Sequence, residues 1–153
     1  MGIEEEIQQT KWKSSLHKAV VNALFTSRFL EDRASRFLKP YDLSLQQFNI
    51  LRILRGQGDK PATVSLLTER MLDKSSNASR LVDKLLEKKL ADRATCPDDR
   101  RAVEVRLTPQ GLRLLDTIDA ANPLGEAPNP SFPEAEAEQL SALLDKLRAT
   151  MHQ

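Results

Sequence analysis

The chain has 153 residues, 40% of them apolar and 29% charged, enough to bury one core and ordinary for a globular protein. No apolar run exceeds three residues, which excludes a membrane-spanning segment. The start, with Glu4, Glu5 and Glu6, lacks the basic-then-apolar pattern of an export signal. One cysteine, Cys96, excludes an internal disulfide framework and fits a reducing compartment, so a cytoplasmic protein is expected. Net charge is +1 overall, but it is segregated: +2 over residues 1–69, +3 over 70–106 and −4 over 107–153. A basic middle beside an acidic tail admits a polyanionic partner.

Leu16, Val20, Ala23, Ser27, Leu30, Ala34 and Phe37 recur at steps of four and three, so residues 12–39 read as one long helix. Pro40 stops it. Ser44 and Gln47 form a capping box, with Leu43 and Phe48 placed as the hydrophobic staple. A second helix therefore starts near Ser44 and ends about Gly56 or Gly58. After the Lys60-Pro61 turn, a short helix covers 65–71, followed by the tight connection Leu72-Asp73-Lys74. The next helix runs from about Ser75 to Lys88, with Ala78, Leu81, Val82 and Leu85 inward.

Residues 91–95 and 102–107 flank a charged turn, and the second run alternates apolar and polar with β-branched residues, so the two read as a β-hairpin. Thr108 caps a helix with Pro109 at its first position; Leu112, Leu115 and Ile118 are expected inward. Residues 122–133 hold four of the eight prolines and form a loop. From Glu134 a final helix carries Leu140, Leu144, Leu147 and Met151.

Two short helices, a tight turn and a hairpin in this order make a helix-turn-helix with a wing, a mainly α fold with a small β-hairpin. Such a unit lays its second helix in the major groove of DNA. Ser75, Ser76, Asn77, Arg80 and Lys84 lie at the start and outer face of that helix. Asn can read adenine and Arg guanine in bidentate fashion. Arg100 and Arg101 at the hairpin tip suit a minor groove, and Asp99 can hold a guanidinium fork. Taken singly, the helix face is equally a solvated polar face, and the charged turn more readily a solvated one; the order of the elements is the more specific signal.

The text Ser79-Arg80-Leu81-Val82-Asp83-Lys84-Leu85, then Leu90 to Arg93, Asp98-Asp99-Arg100-Arg101-Ala102-Val103 and Leu107-Thr108-Pro109-Gln110-Gly111 resembles winged-helix regulators of the multiple-antibiotic-resistance (MarR) family. Leu45-Gln46-Gln47-Phe48-Asn49-Ile50-Leu51 is similar to that family's second helix. The resemblance covers residues 12–120. It implies a homodimer built from helices within 1–39 and 108–153, with a DNA-binding lobe over 44–107, all one winged-helix domain. It places Ser79, Arg80 and Lys84 at recognition-helix contacts, Arg101 at the minor-groove contact and Asp99 at its acidic partner. A palindromic operator on double-stranded DNA is the implied partner, and repression of transcription the implied role. A small aromatic or anionic ligand is also implied, for which His17, Phe25, Phe29, Phe48 and Arg52 are candidate lining. Lys89 stands where the family often has glycine; if it is left-handed, the cost is on the order of 1 kcal/mol. No cofactor or metal is expected, because two histidines and one cysteine make a poor ligand set. Nor is an enzyme expected: no phosphate-binding glycine loop or paired carboxylates stand out. The rival function is a winged-helix module that binds protein without DNA.

Overall fold

The computed structural model describes residues 1–95, 103–121, 125 and 127–152. Its elements in order are α1 (Ile3–Glu6), α2 (Ser15–Leu38), a 3-10 turn (Lys39–Tyr41), α3 (Leu45–Gln57), β1 (Ala62–Thr63), α4 (Val64–Arg70), α5 (Ala78–Glu87), β2 (Ala91–Thr95), β3 (Val103–Leu107), α6 (Pro109–Ala120) and α7 (Glu134–Met151). The strands form one antiparallel sheet in the order β1-β3-β2, with Ala91 opposite Leu107, Thr95 opposite Val103 and Ala62 opposite Val105. The expected hairpin is thus two strands of a three-stranded sheet. β1 is two residues long, too short for alternation to reveal it.

Helix boundaries follow local chemistry. The long helix starts at Ser15 and not at residue 12, because the Ser14 hydroxyl accepts the His17 N–H at 3.0 Å and caps it there. It ends at Leu38, where the turn containing Pro40 begins. The capping box of α3 forms as read: the Gln47 N–H donates to Ser44 Oγ at 3.1 Å, and the Ser44 N–H to Gln47 Oε1 at 3.0 Å. Leu43 and Phe48, the expected staple, are both buried. Gly58 ends α3 at φ 60, a conformation glycine adopts without steric cost.

One core cluster runs from Leu38 to Ile118 and joins α3, α4, α5, α6 and the sheet through Leu51, Leu54, Leu67, Val82, Leu85, Val105 and Leu115. Each such side chain, fully buried, is worth about 1.5–3 kcal/mol. On α6 the inward stripe is Gly111, Leu115 and Ile118, and Leu112 is exposed, against expectation. The reason is Gly111. A Cβ there would collide with the Leu90 carbonyl oxygen and lie 2.7 Å from Leu107 Cδ1. The missing side chain lets α6 lie directly on the β2 entry, and this contact sets the helix's rotation. By contrast, α7 buries no residue fully, and Leu16, Leu24, Phe29 and Leu30 on α2 are exposed. Among the described residues, no helix is long and apolar enough to cross a membrane.

Candidate nucleic-acid interface

The two helices α4 and α5 are joined by residues 71–77, a connection held by named hydrogen bonds. The Leu72 N–H donates to Asn49 Oδ1 on α3 at 2.9 Å. Asp73 Oδ1 accepts from both the Ser75 N–H, at 2.9 Å, and the Ser75 hydroxyl, at 2.6 Å. These bonds, with further ones from the Ser76 and Gln46 side chains, stabilise the carboxylate and hold the Asp73 pKa down at about 2. Ser75 and Ser76 therefore belong to the turn, and the helix begins three residues later than its sequence pattern implied. Asn77 is its cap: Asn77 Oδ1 accepts the Arg80 N–H at 3.1 Å. Bidentate pairing with adenine needs that same oxygen, so Asn77 serves the helix start before any base.

Ala78, Val82 and Leu85 of α5 are buried and Leu81 half-buried, as the periodicity required. Ser79, Arg80, Asp83, Lys84 and Glu87 form the exposed face. Among the described residues, the Arg80 guanidinium has no hydrogen-bond or ion-pair partner, whereas Lys84 lies 3.3 Å from Glu87. Asp83 accepts from Arg93 of β2 at 2.8 Å. This contact ties the sheet to the helix and neutralises the acid nearest Arg80 in sequence on that face. It escaped the sequence reading because its partners lie on different elements, and spacing alone does not bring them together.

The exit of α5 is equally built. Lys89 has φ 59, its N–H donates to the Leu86 carbonyl at 2.9 Å, and the Leu90 N–H to the Leu85 carbonyl at 3.0 Å. That pair of bonds is a Schellman motif, with lysine where glycine is unstrained. Thr108 then locks it. Its Oγ1 donates to the Lys89 carbonyl at 2.8 Å and accepts the Gly111 N–H at 3.0 Å, while its own N–H donates to the Leu90 carbonyl at 3.2 Å. Read from sequence only as a helix cap, Thr108 also anchors the end of α5.

Asp99, Arg100 and Arg101, with Cys96, lie outside the described residues. The candidate ligand lining does not converge on one cleft. Phe48 is 2% exposed and part of the core, with Arg52 over its ring at 5.6 Å. His17 packs edge-on against Trp12 at 5.5 Å. Phe25 is half-buried on α2. Phe29 lines a shallow cleft with Arg33 and Arg36. A larger groove of about 330 Å³ lies between α2 and α7, bounded by Val20, Leu24, Leu144, Leu147 and Met151. Among the described residues, no cluster of His, Cys, Asp and Glu can hold a metal ion.

The order α3-α4-α5 followed by the antiparallel β2–β3 pair is a winged helix-turn-helix. A family model described as MarR family matches residues 41–102. The transcriptional regulator PecS of Dickeya dadantii (strain 3937) is 32% identical over 133 residues, covering 84% of this chain and 79% of PecS. The transcriptional regulator MhqR of Bacillus subtilis (strain 168) is 30% identical over 91 residues, covering 60% of this chain and 61% of MhqR. The chain thus spans only about three fifths of MhqR's length. The S. aureus MepR–DNA complex superposes with a TM-score of 0.73 at 21% identity, over 86% of this chain and 96% of MepR, a likeness of fold. The chain belongs to the MarR family.

Proposed function

We propose that this chain is a cytoplasmic regulator of transcription that binds a palindromic operator in double-stranded DNA as a homodimer, acting as a repressor. Helix α5 enters the major groove, with Arg80 reading a base and Ser79 and Lys84 beside it. The carrying observation is the state of the charges on α5. Arg80 is exposed and without a partner among the described residues, while Asp83 is taken up by Arg93. The face is thereby left available to a polyanion. MepR, which shares the fold, has been seen in complex with DNA, and this supports the same use here. Arg100 and Arg101 are assigned to the minor groove, with Asp99 orienting them, on the strength of the sequence motif.

The exposed Leu16, Leu24, Leu140, Leu143 and Met151 on α2 and α7 support a second copy as their cover. Removal of residues 134–153 should release monomers in sedimentation; a dimer that persists would move the interface to α2. A small aromatic or anionic ligand is the proposed effector, on the strength of the family resemblance alone. The deciding experiment is DNA binding across a salt series. Affinity should fall steeply with salt, as phosphate contacts require. Arg80→Ala should cost about 1–3 kcal/mol on a selected duplex and relax sequence preference. Salt-independent binding, or none at all, would reject the reading.

A further inference from the structure

We propose that Lys88 is a positioning residue that sets the angle between the long helix α2 and the helix α5, and hence the spacing of the two recognition helices in a dimer. The proposal rests on the reading of α5 as the DNA-recognition helix. The Lys88 ammonium donates to the main-chain oxygen of Asp42, lies 3.2 Å from Asp42 Oδ2 and donates to Gln47 Oε1 at 3.4 Å. Each partner stands at a helix end. Asp42 is the left-handed residue (φ 54) that closes the α2 exit. There its N–H donates to the Lys39 carbonyl at 3.1 Å, and the Leu43 N–H donates to the Leu38 carbonyl at 3.4 Å. Gln47 Oε1 simultaneously accepts the Ser44 N–H that caps α3. Lys88 itself is the C-cap of α5.

One ammonium with three donors thus bridges the exits of two helices and the entry of a third. Both exits carry partial negative charge, which a cation complements. The side chain of Lys88 is 25% exposed and that of Asp42 91%, so the lysine reaches inward while its partner's carboxylate stays in water. Burial of apolar groups fixes how closely these elements sit but is not directional; hydrogen bonds from Lys88 are. A pair with so exposed a partner adds little to stability. Its consequence is angular: with two copies joined through α2 and α7, a change at this junction displaces both recognition helices, which must lie about 34 Å apart, one DNA turn.

The test uses the full chain with Lys88→Met and Lys88→Arg, and duplexes that the wild type selects from a randomised pool, together with versions lengthened by one central base pair. Lys88→Met should lose about tenfold in affinity on the parent duplex and less on the lengthened one, flattening the spacing preference. Its salt slope and melting temperature should stay unchanged, and Lys88→Arg should restore the preference. Equal loss on both duplexes with a salt slope smaller by about one would make Lys88 a phosphate contact and overturn the proposal. So would a lowered melting temperature that arginine does not rescue. A DNA-free arm separates this proposal from the DNA reading: spin labels at Asp32→Cys and Glu87→Cys in a Cys96→Ser background, diluted with unlabelled chain. The α2–α5 distance distribution should broaden in Lys88→Met and narrow again in Lys88→Arg; equal widths in Lys88→Met and wild type would overturn the proposal even if no duplex is selected.

Discussion

The lobe from α3 to α6 and the pair α2 and α7 are built from the same kinds of side chain, used in opposite ways. In the lobe, leucines at helical spacing meet a sheet and one another, and Leu115 is 0% exposed. On α7 the same spacing leaves Leu140 46% exposed, and on α2 Leu16 is 53% exposed. A stripe of leucines therefore records that a face will be covered, not by what. In the lobe the cover is the chain itself; along α2 and α7 we assign it to a second copy.

The largest expected effect sharpens that contrast. Leu115→Ala should cost about 2–5 kcal/mol in urea unfolding, with no dependence on protein concentration. Leu140→Ala, the same chemical change, should leave the lobe's stability nearly intact and instead raise the concentration at which the dimer forms. Equal, concentration-independent losses for the two would erase the distinction between regions. Gly111→Ala comes next, at about 1–3 kcal/mol, since the new methyl meets the Leu90 backbone, which cannot swing aside like a side chain tip. A neutral result by thermal melting would mean that α6 can shift away from β2 without loss.

Lys89→Gly should act in the opposite direction and raise stability by up to about 1 kcal/mol, by relieving the left-handed residue at the α5 exit. Chemical denaturation measures this, and a loss would show that the lysine side chain contributes more than its backbone costs. The smallest effect concerns acid. Asp73 has a folded pKa of about 2 against an ordinary 3.8, so its contribution is complete above 3.8 and lost as pH falls through about 2. Asp73→Asn should reduce stability at neutral pH slightly and flatten the wild-type decline between those pH values. Parallel acid-unfolding curves for the two proteins would remove Asp73 from the turn's support.

Legibility in the sequence followed the range of the interaction. The Ser44–Gln47 box, the Thr108 cap and the Ala78–Val82–Leu85 face depend on neighbours within one or two turns, and each formed as read. The start of α5 is not legible from spacing, because the polar run from Ser75 continues the helical pattern, and only the Ser75 bonds to Asp73 and the Asn77 cap place it at Ala78. The exposure of Leu112 is not legible because i,i+3 spacing cannot say which of two adjacent stripes faces inward; the close approach at Gly111 does. Contacts such as Asp83 with Arg93, or Lys88 with Asp42, join residues on separate elements, and no periodicity encodes them. The exposed polar face of α5 was legible from its spacing, but the use of Ser75 and Ser76 in the turn and of Asn77 as the cap was not.

The N-terminal segment has a consequence for how this protein reports on itself. Trp12 is the single tryptophan. Its indole N–H donates to Glu4 Oε1 at 3.0 Å, Lys18 bonds the same oxygen at 2.7 Å, and the ammonium lies 5.9 Å from the ring centroid. Those contacts hold the Glu4 carboxyl below its usual range, and none of them reaches the lobe. Intrinsic emission excited at the indole band is therefore a local signal of the N-terminal arm from Glu4 to Lys18. Circular dichroism in the far ultraviolet reports mainly on the helices of the whole chain. If the two transitions coincide, the arm melts with everything else as one cooperative unit; if emission changes first, the arm frays ahead of the lobe.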